Sequence, residues 1–182
     1  MKQTNAYLPH FSSSSVICLV PPSRAAVPVM PAIDEIMQRS DALLFGRRTW
    51  EAMAAAWPDR AGDPFADRMN AITKYVASRT LAEHDMTWSN STLLPADDAI
   101  GAVRQLRDRE GAGIQVWGSA SLAKQLVEHD LVDEFIILIE PLLLGGGKRL
   151  FPDDGIARPL ELVSATPAAT GTVICSYRRV RD

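Results

Sequence analysis

The chain has 182 residues and a formal net charge of −3, with 47% hydrophobic and 23% charged residues. This length and apolar content suffice for one domain with a substantial core. The slightly acidic balance argues against nucleic-acid binding through a broad basic surface, although it allows one small basic pocket for a phosphate. Two cysteines cannot build a disulfide framework, and no apolar stretch reaches the ~18 residues that a membrane span needs. We therefore expect a cytoplasmic protein without nucleic-acid or membrane partners.

The first 30 residues differ in composition from the rest of the chain. They contain four consecutive serines at residues 12–15 and only two charged side chains, Lys2 and Arg24. This composition predicts an atypical leader that is partly disordered or that supplies the first strand, at residues 16–20. We expect residues 31–182 to form the folded domain.

From residue 31 onward, helical and strand patterns alternate. Ile33, Ile36 and Met37 have helical spacing, and residues 59–64 are predicted to form a loop. Apolar runs predict strands at residues 41–45, 74–78, 114–117, 135–139, 160–163 and 172–178, and the segments between them predict helices at 49–56, 97–109 and 120–129. The alternation predicts an α/β fold with a mostly parallel central sheet and an antiparallel hairpin at the carboxyl end.

Two predicted strands each end at a glycine that opens a helix. The first turn consists of Gly46, Arg47, Arg48 and Thr49, and the second of Gly118, Ser119, Ala120, Ser121 and Leu122. Glycine lets a phosphate approach the backbone, and a helix start offers free N–H groups and a positive dipole end. Two such turns in one sheet could hold the pyrophosphate of a dinucleotide. The alternative is that each glycine is only a turn and each hydroxyl only a helix cap.

A third candidate site follows the predicted strand at residues 74–78. Ser78, Arg79 and Thr80 provide a cation and two hydroxyls, which could hold the 2′-phosphate of a nucleotide. An ordinary loop is the alternative. The glycines at residues 145–147 precede Lys148, but Arg149 stands where a phosphate loop needs Ser or Thr, so we interpret them as a flexible turn.

The sequence contains no recognisable catalytic constellation. Its three histidines are scattered, and no Gly-x-Ser-x-Gly nucleophile elbow occurs. No cluster of residues has the spacing of metal ligands. The catalytic residue is therefore unassigned, and no metal is expected.

The motifs taken together resemble a known family. The run Gly46-Arg47-Arg48-Thr49-Trp50-Glu51 resembles the Gly-Arg-x-Thr-Trp-Glu turn of dihydrofolate reductases. From about residue 31 to residue 177 the chain is similar to the dihydrofolate-reductase-like proteins grouped with the reductase domain of riboflavin biosynthesis, the RibD C-terminal domain family. Further matching segments are residues 63–70, 74–81, 88–92, 118–122, 129–134, 141–145 and 147–151.

The resemblance implies a three-layer fold whose central sheet binds NADPH and transfers hydride to a small heterocycle. The substrate would be pterin-like or pyrimidine-like, with 5-amino-6-(5-phosphoribosylamino)uracil of riboflavin biosynthesis as one candidate. Residues 46–49 and 118–122 would hold the pyrophosphate, and residues 78–80 would contact the adenosine 2′-phosphate. A homodimer is also implied, with an apolar sheet edge near residues 172–177 available for it.

Two departures from the family pattern support a different hypothesis. The family's first strand carries Ser-Leu-Asp-Gly or a similar run, and residues 1–30 contain no match for it or for its acidic residue. Riboflavin-pathway reductases commonly have Glu-Gly-Gly where this chain has Trp117-Gly118-Ser119. The alternative is a non-catalytic nucleotide-binding or interaction module on the same fold.

Overall fold

The structure is a computed structural model that describes residues 14–18, 30–60, 62–111, 113–143 and 145–180. Short 3-10 turns occur at Pro58–Arg60 and Glu83–Asp85. The helices are α1 (Met30–Met37), α2 (Arg47–Ala54), α3 (Pro64–Ala71), α4 (Ala99–Arg107) and α5 (Ala120–Glu128). The strands are β1 (Ser14–Cys18), β2 (Ala42–Gly46), β3 (Thr73–Ala77), β4 (Ser91–Leu93), β5 (Ile114–Trp117), β6 (Glu134–Ile139), β7 (Leu160–Pro167) and β8 (Val173–Arg179).

The strands form one sheet in the order β4-β3-β2-β5-β1-β6-β8-β7. The six strands from β4 to β6 pair in parallel, and β8 pairs antiparallel with both β6 and β7. This arrangement confirms the predicted α/β class, with its mostly parallel sheet and its antiparallel hairpin.

β1 lies in the middle of the sheet, between β5 and β6. It overlaps the strand predicted at residues 16–20 over residues 16–18. The remainder of that prediction, and the predicted disorder of the leader, fall on residues 1–13 and 19–29, outside the described part of the chain. The extent of the leader and the domain boundary at residue 30 stay predictions.

The central strands of the sheet are buried on both faces, which makes the fold three-layered. Along β2, Ala42 and Leu44 belong to one buried cluster, which also contains side chains of α4 and α5. Leu43 and Phe45 belong to a second buried cluster, which contains side chains of α1, α2 and α3. Successive strand residues point to opposite faces, so a continuously apolar strand packs against helices on both sides.

Helix α3 was not predicted from the sequence. The Asp63 carboxylate accepts hydrogen bonds from the N–H groups of Phe65 at 2.9 Å and Ala66 at 3.0 Å, and Pro64 occupies the first helical position. An aspartate cap followed by proline is a strong start signal, because proline lacks the N–H that would otherwise stay unpaired. The predicted loop at residues 59–64 therefore ends in a helix start. Strand β4 was also missed, and it has only three residues.

A lysine lies inside the layer that contains α3. Lys74 of β3 is fully buried, and its ammonium donates to the carbonyl oxygens of Asn70 at 3.0 Å, Ile72 at 2.7 Å and Ser89 at 3.0 Å. The ammonium also lies 4.4 Å from the centre of the Trp88 ring. Burial lowers the pKa of Lys74 to about 8. Lys74 thus links the carboxyl end of α3 to the segment before β4.

Two features are absent from the described residues. No helix in this part of the chain is both long enough and apolar enough to cross a membrane. No group of three or more His, Cys, Asp or Glu side chains in the same residues is arranged to hold a metal ion.

Candidate cofactor site

The three turns that the sequence predicted lie together at the carboxyl ends of neighbouring strands. The register pairs Gly46 with Ala77 and Leu44 with Val116, so β2, β3 and β5 end side by side. From β2 the chain moves to β3 and β4 on one side, and then returns to β5 on the other side. Open α/β sheets bind ligands at such a switch point, outside the carboxyl ends of the strands. The crevice between β2 and β5 is therefore the candidate site.

The two glycine turns are joined directly by hydrogen bonds. The Ser119 hydroxyl accepts from the Gly46 N–H at 2.8 Å and donates to the Trp117 carbonyl at 2.9 Å. In return, the Ser119 N–H donates to the Thr49 hydroxyl oxygen at 3.1 Å. A Cβ at Gly46 would lie 3.6 Å from that of Ser119, which is van der Waals contact. The two turns therefore form one structural unit.

The second turn has a left-handed backbone at two successive residues. Gly118 has φ 55°, and a Cβ there would lie 3.3 Å from the Thr49 methyl group, so the approach of α2 favours glycine. Ser119 has φ 52° and ψ 43°. This conformation costs a residue with a side chain about 1 kcal/mol. The hydrogen bonds of Ser119 to the first turn offset that strain.

Both helices begin at the crevice without a side-chain cap. α2 follows Gly46 and α5 follows Ser119, and neither residue caps its helix with a side chain. α2 begins two residues earlier than predicted, which places Arg47 and Arg48 in its first turn. Helix geometry leaves the N–H groups of a first turn without an acceptor inside the helix, and the dipole makes this end positive. The starts of α2 and α5 together can therefore hold an anion.

The predicted residues of the two turns have different environments. Leu122 is buried in the core, and its N–H donates to the Ser119 carbonyl at 2.8 Å. The hydroxyls of Thr49 and Ser119 are both engaged between the turns. Ser121 is exposed at the start of α5, and Ala120 is half-buried beside it. Ser121 therefore keeps its hydroxyl at the surface, where a ligand can reach it.

Three arginines lie in the first turn of α2 and just after β3. Arg47 lies 3.9 Å from the carboxylate of Glu51 on the same helix, and both side chains are exposed. Arg48 and Arg79 are also exposed, and neither forms an ion pair with any of the described residues. A free guanidinium presents a planar fork of donors that matches a phosphate.

Ser78 shapes the third turn. It is buried, and its hydroxyl accepts from the N–H groups of Thr80 at 3.1 Å and Leu81 at 3.0 Å. Its oxygen also lies 3.4 Å from the Thr80 hydroxyl. These bonds turn the chain after β3 so that Arg79 and Thr80 lie on the surface. The three predicted residues thus divide into one that folds the loop and two that are exposed.

Aromatic rings lie next to the second turn, on the side of α2 and α3. The Phe65 ring centre is 6.3 Å from that of Trp117 and 5.3 Å from that of Trp57. The Arg60 guanidinium lies 5.0 Å from the centre of the Trp57 ring. Trp117 is buried, whereas Phe65 and Trp57 are half-buried and can stack on a planar ring. Sequence reasoning missed Phe65 because it missed the capping signal at Asp63 and Pro64.

A surface cavity opens at the opposite ends of these strands. It lies at the amino ends of β2 and β5, and Ala42, Tyr75, Arg109 and Ile114 are among the residues that line it. These strand ends are the far side of the sheet from the glycine turns. The cavity is separate from the candidate site.

The three layers, together with the turns at the carboxyl ends of the parallel strands, define an α/β protein of the dihydrofolate-reductase-like class. The family model of the RibD C-terminal domain matches residues 30–174. The chain therefore belongs to the RibD C-terminal domain family, which confirms the resemblance inferred from the sequence.

Similar proteins support this placement. The chain is 30% identical over 148 residues to the uncharacterised protein YyaP of Bacillus subtilis strain 168, covering 79% of this chain and 76% of that protein. A pyrimidine reductase-like protein from Corynebacterium diphtheriae has a TM-score of 0.62 at 14% identity, covering 98% of this chain and 97% of that one. Dihydrofolate reductase from Enterococcus faecalis, solved with NADP(H), has a TM-score of 0.59 at 15% identity, with coverages of 93% and 98%. These two structures share the fold.

Proposed function

We propose that the protein is an NADPH-dependent reductase that transfers hydride to a small pterin-like or pyrimidine-like heterocycle. The observation that carries this proposal is the junction of two uncapped helix starts at the switch point of the sheet. Arg48, in the first turn of α2, and Arg79, just after β3, are exposed and have no ion-pair partner among the described residues. Membership of the RibD C-terminal domain family supports the reductase assignment.

The residues present fit this cofactor. The free N–H groups at the starts of α2 and α5 suit a pyrophosphate, whose charge the two helix dipoles also favour. Arg79 and Thr80, at the neighbouring strand end, suit the additional 2′-phosphate of NADPH. When bound, NADPH supplies the hydride, and the protein supplies orientation and electrostatics.

The aromatic rings support a planar substrate. Trp57 and Phe65 are half-buried beside the second turn, where a heterocycle can stack against them. The solved relatives include a dihydrofolate reductase and a pyrimidine reductase-like protein, which supports the pterin and pyrimidine classes. The riboflavin intermediate 5-amino-6-(5-phosphoribosylamino)uracil belongs to the second class.

The reaction also needs a proton beside the atom that accepts the hydride. Residues 1–30 contain no aspartate or glutamate, so the segment that includes β1 offers no carboxylic acid. Trp117, Gly118 and Ser119 offer none either. The proton donor therefore stays unassigned, and a bound water is one candidate.

The same missing acid favours a second candidate function. A chain with intact nucleotide turns and no carboxylic acid in its leader could bind NADPH without reducing a substrate. Such a protein would be a nucleotide-binding or interaction module. Cofactor binding is common to both candidates, and turnover separates them.

The decisive experiment titrates the purified protein with NADPH and with NADH, following nicotinamide fluorescence. We expect saturable binding with a preference for NADPH, followed by NADPH oxidation when pterins and pyrimidine ribosides are supplied. Binding without oxidation by any of these compounds would favour the module. A folded protein that binds neither nucleotide would overturn both candidates.

A further inference from the structure

We propose that Ser119 is a positioning residue whose hydroxyl locks the two glycine turns together, so that the starts of α2 and α5 face one shared anion. The inference rests on the proposed function, because the anion is the pyrophosphate of the nicotinamide cofactor. Ser119 contacts the first turn through its side chain and its backbone, with 2.8 Å from the Gly46 nitrogen to its hydroxyl and 3.1 Å from its own nitrogen to the Thr49 hydroxyl.

The hydroxyl determines which N–H groups remain for a ligand. It takes the N–H of Gly46, and the Thr49 hydroxyl takes the N–H of Ser119. The N–H groups of Leu122 and Ala123 both donate to the Ser119 carbonyl, at 2.8 and 2.9 Å. In α2 the N–H groups of the first helical residues remain available to a ligand. In α5 the N–H groups of Ala120 and Ser121 remain available. Two short sets of donors therefore flank the link between the turns.

The backbone of Ser119 indicates why the hydroxyl matters. Its left-handed conformation is one that glycine adopts without strain, and serine adopts only at a cost. Glycine at this position would therefore suit the turn at least as well. The property that serine adds is the hydroxyl, which accepts from Gly46 and donates to Trp117.

The first test examines the link without any ligand. Amide hydrogen exchange at Gly46 is measured by NMR in the unmodified protein, in Ser119→Gly and in Ser119→Ala. We expect exchange at Gly46 to be about tenfold faster in both variants, because its acceptor is gone. An unchanged rate would overturn the proposal, since no link would then exist.

The second test measures the consequence for binding. NADPH and NADH affinities are compared among the unmodified protein, Ser119→Gly and Ser119→Ala. Ser119→Gly permits the left-handed backbone without strain and removes the hydroxymethyl group, whereas Ser119→Ala removes the hydroxyl alone and keeps the strain. We expect both dissociation constants to rise by the same factor, about fivefold, because both nucleotides carry the pyrophosphate. Ser164→Ala, on the exposed strand β7, serves as the matched control.

Each outcome decides one of the two proposals. Wild-type affinity in Ser119→Gly, at temperatures where all proteins are folded, would overturn the positioning role and leave the proposed function standing. A loss confined to Ser119→Ala would assign the effect to backbone strain and would also overturn it. Failure of the unmodified protein to bind either nucleotide would overturn the proposed function, and the positioning role with it, while exchange at Gly46 would still report the link.

Discussion

Two cations of the same region, Lys74 and Arg79, have opposite environments. Lys74 is fully buried, and three backbone carbonyls surround its ammonium. Arg79 follows the same strand but is exposed, without an ion-pair partner among the described residues. Burying a charge costs free energy, which hydrogen bonds to the ammonium partly offset, whereas an exposed unpaired guanidinium is free to bind an anion. The two residues therefore lead to different predictions.

At Arg79 we predict a loss of cofactor discrimination. Arg79→Ala should weaken NADPH binding by about tenfold or more and leave NADH binding nearly unchanged, because only NADPH carries the 2′-phosphate. Fluorescence titration with both nucleotides measures the effect. The control is Arg109→Ala, which removes an arginine from the cavity at the amino ends of β2 and β5. Equal losses for the two nucleotides would remove Arg79 from this role.

At Lys74 we predict a stability that depends on pH. Its pKa is about 8 in the folded protein, below the ordinary value of 10.5, so the unfolded chain binds more protons between these values. The free energy of unfolding should therefore gain a contribution from Lys74 as the pH rises from about 8 towards 10.5. In Lys74→Met, which should also be destabilised by about 3 kcal/mol through unsatisfied carbonyls, this contribution should be absent.

Urea denaturation of both proteins between pH 7.5 and 10 tests this linkage. The stability difference between the original protein and Lys74→Met should widen as the pH rises. Other groups titrate in both proteins and cancel in the difference. A constant difference would show that the pKa of Lys74 is the same in the folded and unfolded chains.

At the scale of elements, the helices differ in how they begin. α3 and α4 have aspartate caps, Asp63 and Asp98, with carboxylate oxygens that accept from backbone N–H groups. α2 and α5 follow Gly46 and Ser119 and have no side-chain cap. The helices that point at the candidate site therefore keep their first N–H groups available, which is what an anion site requires.

Removing the cap of α3 should lower stability. We expect Asp63→Ala to reduce the free energy of unfolding by about 1 kcal/mol, because two N–H groups lose their acceptor. Asp59→Ala, an exposed substitution in the preceding turn, should change it by less than about 0.5 kcal/mol. Urea denaturation at pH 7 compares the two variants. Similar losses in both would contradict the capping role.

At the scale of the whole molecule, β7 is an edge strand of the sheet. The edge expected near residues 172–177 was wrong, because β8 pairs with both β6 and β7. Every residue of β7 is exposed, and the described residues of the connection from β6 to β7 form no helix. The side chains of Leu160 and Leu162 lie on the same face of β7. These residues pair in register with Arg179 and Tyr177 of β8, and Leu162 is 55% exposed. Exposed apolar side chains on an edge strand are typical of a surface that pairs with another chain.

We accordingly expect a homodimer in which this face of β7 is covered. Light scattering coupled to size-exclusion chromatography should give the mass of two chains. Leu162→Glu should shift the protein to the mass of one chain, because a buried carboxylate in an apolar interface is costly. A register shift between Leu162 and Ser164 turns Ser164 to the opposite face of β7, so Ser164→Glu places the same charge there and should remain dimeric. A monomeric unmodified protein would contradict the expectation.

Much of the fold follows from local patterns in the sequence. The strands at β2, β5 and β6 and the helices α4 and α5 were predicted to within about two residues, because apolar periodicity and turn residues act over short distances. α3 was missed although its signal is local, at Asp63 and Pro64. β4 has no such signal, since three residues become a strand only by pairing with β3.

The candidate site was predictable in its parts. Each glycine turn could be recognised from glycine followed by a helix pattern, and Arg79 from its place after a strand. Their convergence could not be predicted from these patterns alone, because it depends on a strand order that brings β2, β3 and β5 together. The same order determines which hydroxyls the turns use for each other, at Thr49 and Ser119.

The sequence by itself determined the class of fold and the chemical character of the three turns, because these depend on neighbouring residues. Only the tertiary structure decided that β1 lies at the centre of the sheet, that Lys74 is buried among carbonyls, and that Ser119 joins the two turns. Each of these depends on groups far apart in the chain. Burial and hydrogen-bond partners arise only when the packed layers bring such groups together.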